Sequence, residues 1–283
     1  MFRKLFPIVL ILALLLLACR LNVGLPVLPT PGPTVTDEIN VPLPDSAQPV
    51  SLSLALGAGT LNLSPGANAL VSGTAKYNVP DFKPIVTVDG SRVKVAQGNY
   101  KVTNIPNFSN IKNEWDLQLG TAPMELTIEA GAYTAEYELG GLALTNLTVK
   151  DGAAYVQLAF SNPNTAEMKM LRYETGASNV TLSNLANANF AMMKFNSGAG
   201  NYTLDFSGQF KRDASVTIET GVSNISLVIP QGVQAQVTVE GSLANVNVPQ
   251  GWSKNGNVYT QSGSGPMLTI LVQIGAGNLG ISR

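Results

Sequence analysis

One short pattern is written five times between residues 124 and 230, and it limits this chain more than any other feature. Each copy is centred on a glycine: Gly131, Gly152, Gly176, Gly198 and Gly221, at steps of 21, 24, 22 and 23 residues. Five residues before the glycine stand Leu126, Leu147, Leu171, Met193 and Val216, and three before it Ile128, Val149, Tyr173, Phe195 and Ile218. Four after it stand Ala135, Val156, Val180, Tyr202 and Ile225, and six after it Tyr137, Leu158, Leu182, Leu204 and Leu227. The columns between are mostly polar: Thr127, Thr148, Arg172, Lys194 and Thr217 before the glycine, and Glu136, Gln157, Thr181, Thr203 and Ser226 after it.

Apolar and polar residues alternating with period two describe strands with one buried face. Each copy therefore reads as strand, glycine turn, strand, with the glycine supplying a positive φ at the bend. A single copy cannot bury its own apolar face, whereas stacked copies cover one another. A Greek-key sandwich also spaces short strands evenly, but it does not repeat one pattern around a glycine. The expected fold is all-β: repeat-built stacked parallel strands, β-solenoid-like, with inserted hairpins. The same columns recur around Gly57 (Leu52, Leu54, Leu61, Leu63) and Gly275 (Ile270, Val272, Leu279, Ile281), which read as the first and last rungs. Gly241 marks a partial copy.

The amino terminus sets the address. Arg3 and Lys4 precede an apolar run from Leu5 to Leu17, and Leu16-Leu17-Ala18-Cys19 matches a bacterial lipobox. The run is short for a membrane span, which needs about 20 residues. Residues 1–18 read as a lipoprotein signal peptide and Cys19, the only cysteine, as the lipidated residue. The expected location is extracytoplasmic, anchored to a bacterial membrane through lipid on Cys19. Without a second cysteine there is no internal disulfide, so packing alone must hold the fold. Residues 19–49 are rich in proline and read as a tether. Residues 50–121 depart from the repeat and read as an N-terminal β cap or subdomain, with a hairpin at Asp89-Gly90. Residues 122–283 form the repeat domain, interrupted by a late hairpin carrying Trp252 and Tyr259.

Little in the sequence carries chemistry. Histidine is absent, which removes Ser-His-Asp and Cys-His arrangements and the commonest zinc ligand. No catalytic, cofactor-binding or metal site is expected. Two columns invite a closer look. Glu129, Lys150 and Glu174 read as an alternating-charge ladder, and Asn179, Asn201, Asn224 and Asn278 as an asparagine ladder satisfying turn backbones. Tyr133, Tyr155, Trp252 and Tyr259 are the possible contacts for a ligand or partner. Removing the two leader cations leaves 15 Lys+Arg against 18 acidic residues, a net charge of −3, so nucleic acid is not an expected partner.

The columns, with the segments GASNVTL, GAGNYTL, GVSNISLVIPQGVQAQV and IGAGNLGI, resemble the toast-rack family of bacterial envelope proteins. That group includes the LiaF-like C-terminal domain and domains described as adhesins. The resemblance spans residues 50–282. It implies a non-enzymatic interaction module, adhesin-like or sensing envelope stress, whose partner is an envelope protein or a cell-surface glycan. LiaF-like proteins carry several transmembrane helices before this domain, where this chain carries a lipobox. The alternative is a carbohydrate-binding or polysaccharide-processing β-helix protein.

Overall fold

The computed structural model describes residues 31–45, 49–98, 110–241 and 243–283. In chain order its strands are β1 (Val35–Val41), β2 (Val50–Pro65), β3 (Val71–Tyr77), β4 (Pro84–Asp89), β5 (Arg92–Gln97), β6 (Asn113–Leu119), β7 (Met124–Glu138) and β8 (Leu144–Ala159). There follow β9 (Met168–Ser183), β10 (Phe190–Asp205), β11 (Ala214–Val228), β12 (Val233–Glu240), β13 (Leu243–Asn247), β14 (Ser253–Asn255), β15 (Val258–Gln261) and β16 (Ser264–Ser282). Among the described residues there is no α-helix, and all the strands join one sheet.

Seven unbroken rungs make the body, in the spatial order β2-β7-β8-β9-β10-β11-β16, each parallel to the next. The columns read from the sequence are the register itself: Leu126 pairs with Leu147, Leu147 with Leu171, Met193 with Leu171 and with Val216. At each end the next rung is split in two. β5 and β6 together cover β2, and β12 and β13 together cover β16. Antiparallel strands then close the stack, with β4, β3 and β1 at one end and β15 and β14 at the other.

Each long strand folds back on itself at its glycine. Phe195 and Tyr202 lie on one strand, yet their ring centroids are 5.0 Å apart. Seven extended residues would separate them by about 23 Å. The glycines drop out of the pairing, so that in β7 the buried residues are Met124, Leu126 and Ile128 before the bend and Tyr133, Ala135 and Tyr137 after it. That one-residue change of phase turns both arms toward the same core. The main core is one continuous cluster from Ile39 to Ile281, and Tyr77, Val79 and Phe82 form a small second one.

Three expectations need correction. The column glycines do not bend the chain through a positive φ, since none of Gly57, Gly131, Gly152, Gly176, Gly198, Gly221 and Gly275 has one. They are needed because the rungs touch there. A Cβ on Gly131 would meet the Gly57 carbonyl oxygen at 2.3 Å, and one on Gly176 would meet that of Gly152 at 2.4 Å. Second, the rung of Gly275 is not the last in space. β16 lies between β11 and β12 because, unlike the split pair β12 and β13, it carries both arms in one strand and can cover β11 along its whole length. Third, the tether ends sooner than residue 49. Residues 35–41 form β1, and its alternate residues Ile39 and Val41 enter the core. Residues 50–121 are likewise a cap rather than a separate subdomain, because β2 pairs with β7 from Val50 to Leu63.

Candidate interaction surface

Counted from the glycine, the second arm turns its even columns inward and its odd columns outward, which lays polar residues in rows across the sheet. One row runs Thr74, Asp116, Asn62, Glu136, Gln157 and Thr181 over β3, β6, β2, β7, β8 and β9. Glu136, Asp116 and Gln157 are exposed. Within this row the Asn62 side-chain amide donates to Asp116 Oδ1 at 2.6 Å. A groove of about 640 Å³ follows these strands, with Glu138 and Gln118 beside the row. Glu138 is already occupied, accepting from the backbone N–H groups of Gly140 (2.7 Å) and Ser161 (3.1 Å). Asp116 and Glu136 flank Asn62, so their backbones lie about 9.6 Å apart, two strand spacings.

The asparagine row continues the same face toward the other end. Asn201 donates to Asn179 (2.8 Å), Asn224 to Asn201 (3.0 Å), Asn278 to Asn224 (2.7 Å) and Asn245 to Asn278 (3.3 Å). The ladder thus binds side chain to side chain, not to turn backbones as expected. Its bonds all point one way, leaving each amide one N–H and one carbonyl lone pair for solvent or a partner. Tyr155 pairs in register with Asn179 and heads the ladder. On the first arm Glu129, Lys150 and Glu174 do align, but Glu174 pairs with Arg172 of its own strand at 3.0 Å and not with Lys150. The long arginine reaches across two residues on the same face.

The aromatic candidates separate sharply. Tyr155 is 53% exposed and its hydroxyl accepts from Gln157 at 3.4 Å. Tyr133 and Tyr259 are buried, which removes both from any surface contact. Trp252 is half-buried against the core. Cys19 lies outside the described residues. Tyr133 has an internal task instead. With Tyr173, Thr175 and Ser178 it donates a hydroxyl to Asp151, at 3.4 Å from Tyr133, 2.8 Å from Tyr173 and 3.2 Å from Ser178. Tyr137 donates to Tyr133 at 3.2 Å. Burial first, and the neighbouring Asp151 charge second, push the Tyr133 phenol far up. Tyr137 and Tyr173 are raised in the same direction, chiefly by burial.

Sequence reasoning passed over both the Asp116–Glu136 row and the Asp151 cluster. The signal for the first was the segment EWDLQL, in which Glu114, Asp116 and Gln118 alternate with Trp115, Leu117 and Leu119. The signal for the second was the column directly before the glycine, which reads Leu56, Ala130, Asp151, Thr175, Ser197, Thr220 and Ile274, apolar at its ends and polar in its middle. Among the described residues no group of three His, Cys, Asp or Glu side chains is placed to hold a metal, and no helix is long and apolar enough to cross a membrane.

Bent parallel rungs, a glycine seam and polar outer rows define a repeat-built β rack. The chain belongs to the toast-rack family. It matches the family model for the N-terminal domain of toast_rack, DUF2154, over residues 30–183 and again over 163–228. The two matches overlap, as expected where one repeat unit can align with the next. No curated protein matches the chain. Among solved structures it is similar to a protein described provisionally as a cell adhesion protein from Clostridium sporogenes ATCC 15579, with 21% identity, a TM-score of 0.49, and 88% of this chain and 99% of that one covered. It is also similar to one described provisionally as a lipid binding protein from Parabacteroides distasonis ATCC 8503, with 12% identity, TM-score 0.38 and coverage of 88% and 97%. A third, described provisionally as an adhesin from Bacteroides fragilis NCTC 9343, has 12% identity, TM-score 0.35 and the same coverage.

Proposed function

We propose that this chain is a non-enzymatic interaction module of the bacterial cell envelope, adhesin-like or reporting envelope stress, held to the membrane by lipid on Cys19. The observation that carries the reading is the outer face of the second arm. It is an open polar row over six strands, with a groove of about 640 Å³ and carboxylate and amide groups at in-register positions. Such a face suits an extended polar partner, because hydrogen-bonding groups repeat at about 4.8 Å along it. The favoured partner is an envelope protein. A glycan is the second reading, motivated by Tyr155, whose exposed ring stands beside Gln157 of the same row.

The test is cross-linking in intact cells, then affinity capture of the tagged chain, compared with a Glu136→Gln/Asp116→Asn variant. A specific envelope protein captured by the parent and lost from the variant supports the proposal. Capture of wall or capsular polysaccharide alone moves the case to the glycan reading. Identical capture by parent and variant removes the groove from the contact. The anchor has a separate test: Cys19→Ala should move the protein from the membrane fraction to the soluble fraction, and an unchanged mass and location would end the lipoprotein reading.

A further inference from the structure

The segment PIVTVDGSRVKVAQ folds as the hairpin of β4 and β5. β5 lays Val93 and Val95 beside Leu52 and Leu54 of β2, and all four are buried. Val88 and Val86 pair with Val93 and Val95, so they lie on that same inward face. Yet Val88 is 56% exposed and Val86 45% exposed. The inward apolar columns thus continue one strand beyond the buried core.

Among the described residues β4 pairs with β5 alone, so its other edge is open. The Lys83 carbonyl accepts from the Gly98 N–H at 3.0 Å, directly before the first pair of the hairpin. In an antiparallel pair, residues that bond to the neighbour alternate with residues that face away from it. Ile85, Thr87 and Asp89 therefore bond to β5, and Pro84, Val86 and Val88 face the open side. Pro84 has no N–H to leave unpaired there. Val86 and Val88 present both backbone groups and an apolar side chain to the same open edge. Edges are ordinarily blunted by charge or proline. β1 follows that rule, with Asp37 and Glu38 in mid-strand and Pro42 directly after it, whereas β4 has no charge between Pro84 and Asp89.

We propose that a second copy of this chain completes this edge, with β4 pairing antiparallel to β4 across a twofold axis at Thr87. The register follows from the edge itself. An axis at Val86 would oppose Val88 to Pro84, which cannot donate, and an axis at Val88 would oppose Val86 to Gly90, which is in the turn with φ 57°. With Thr87 on the axis, Val86 of each copy meets Val88 of the other, and each such pair exchanges two N–H···O bonds. The valines then cover one another on the inward face. Lys83, exposed one residue before the strand, falls diagonal to Asp89 of the second copy, at about 7–8 Å between backbones and within reach of a lysine. The contact is isologous, so it closes at two copies and does not propagate. The strands are short, which puts it in the weak class below about 1,200 Å².

The proposal is independent of the groove and of the anchor. It is tested by disulfide trapping in the purified full chain carrying Cys19→Ala, which has no other thiol. In this register Thr87 meets its own copy as a non-hydrogen-bonded pair with Cα atoms about 4.5 Å apart, a separation that a disulfide spans. Under mild oxidation Thr87→Cys should form covalent dimer at least about 10-fold faster than Ser215→Cys, an exposed position on an inner rung, because pairing raises the effective concentration. Adding Val88→Pro should bring Thr87→Cys down to the rate of Ser215→Cys. Proline there removes a donor that points away from β5 and leaves the hairpin ladder whole. Val86→Lys, at the other exposed edge position, should act the same way. Equal trapping rates at positions 87 and 215 overturn the proposal, as does trapping that survives both edge variants. A purified parent that stays monomeric in sedimentation, with β4 amides protected from exchange only in envelope extract, also overturns it, because a strand of another protein then holds the edge.

Discussion

Alanine at Gly176 tests whether the glycine seam is a steric requirement. A Cβ there would lie 2.4 Å from the Gly152 carbonyl oxygen, and the approach of real Cβ atoms stops near 3.0 Å. The two rungs must therefore part by at least 0.6 Å at the seam, the difference between those figures. The atom in the way is backbone on a ladder bonded on both sides, so it cannot swing aside as a side chain would. Overpacking of this kind costs about 1–3 kcal/mol, out of a total stability of about 5–15 kcal/mol. Gly280 is the matched control, because the nearest atom to its added Cβ is Ile225 O at 3.9 Å and its φ is not positive. Gly280→Ala should be neutral or stabilising by about 0.4–1 kcal/mol, through loss of freedom in the unfolded chain. Urea unfolding followed by far-UV circular dichroism measures both. The Gly176→Ala midpoint should fall at constant slope, and the Gly280→Ala midpoint should hold or rise. Equal midpoints for the two variants would refute the argument, since the seam would then be wide enough for a methyl group.

Three further outcomes follow from the interior and the ladder. Asp151→Asn puts an amide N–H against hydroxyls that now donate to a carboxylate, and should lower stability by about 1–3 kcal/mol in the same urea assay. The buried phenols of Tyr133, Tyr137 and Tyr173 ionise less readily folded than unfolded. Their stabilising contribution is thus complete below the ordinary tyrosine range near pH 10 and declines above it. Unfolding free energy measured from pH 8 to 11.5 should be flat with respect to these groups and then fall, by up to about 1.4 kcal/mol per pH unit for each phenol. Asn224→Ala breaks the asparagine ladder at an exposed site between Asn201 and Asn278. It should cost no more than about 1 kcal/mol, and amide exchange of β10 and β11 should rise more than that of β2.

The stack was legible because its inward columns are redundant. Leucine at 126, 147 and 171 repeats one instruction, and the register follows it rung by rung. The reason for the glycines was not legible. A conserved column position in a repeat is compatible with a turn or with close contact, and only the position of the neighbouring carbonyl distinguishes them. The order of the last rungs was hidden for a related reason. β16 and β12 carry compatible apolar columns, so pattern alone does not say which one covers β11; length does, since β12 and β13 are two pieces. Of the aromatic candidates, Tyr133 sits one residue past the point where the strand changes phase, so an alternation carried straight through the glycine assigns it to the wrong face.

The rack separates two tasks that a compact enzyme usually combines. Its inward columns and seam hold the fold, and substitution there propagates to the next rung through backbone contact. Its outward columns touch only their neighbours in the same row, as the asparagine ladder does, so a row can change residue by residue without moving the core. The outer rows can therefore carry recognition while the fold remains constant. The acidic stretch of the second arm arises where the split rung contributes Asp116 beside Asn62 and Glu136. The terminal rungs are free of the repeat's spacing and can bring in such groups, because only one of their faces must match the stack. The β5/β6 break is such a place, where Gln97 and Asn113 fill the gap beside Gly57.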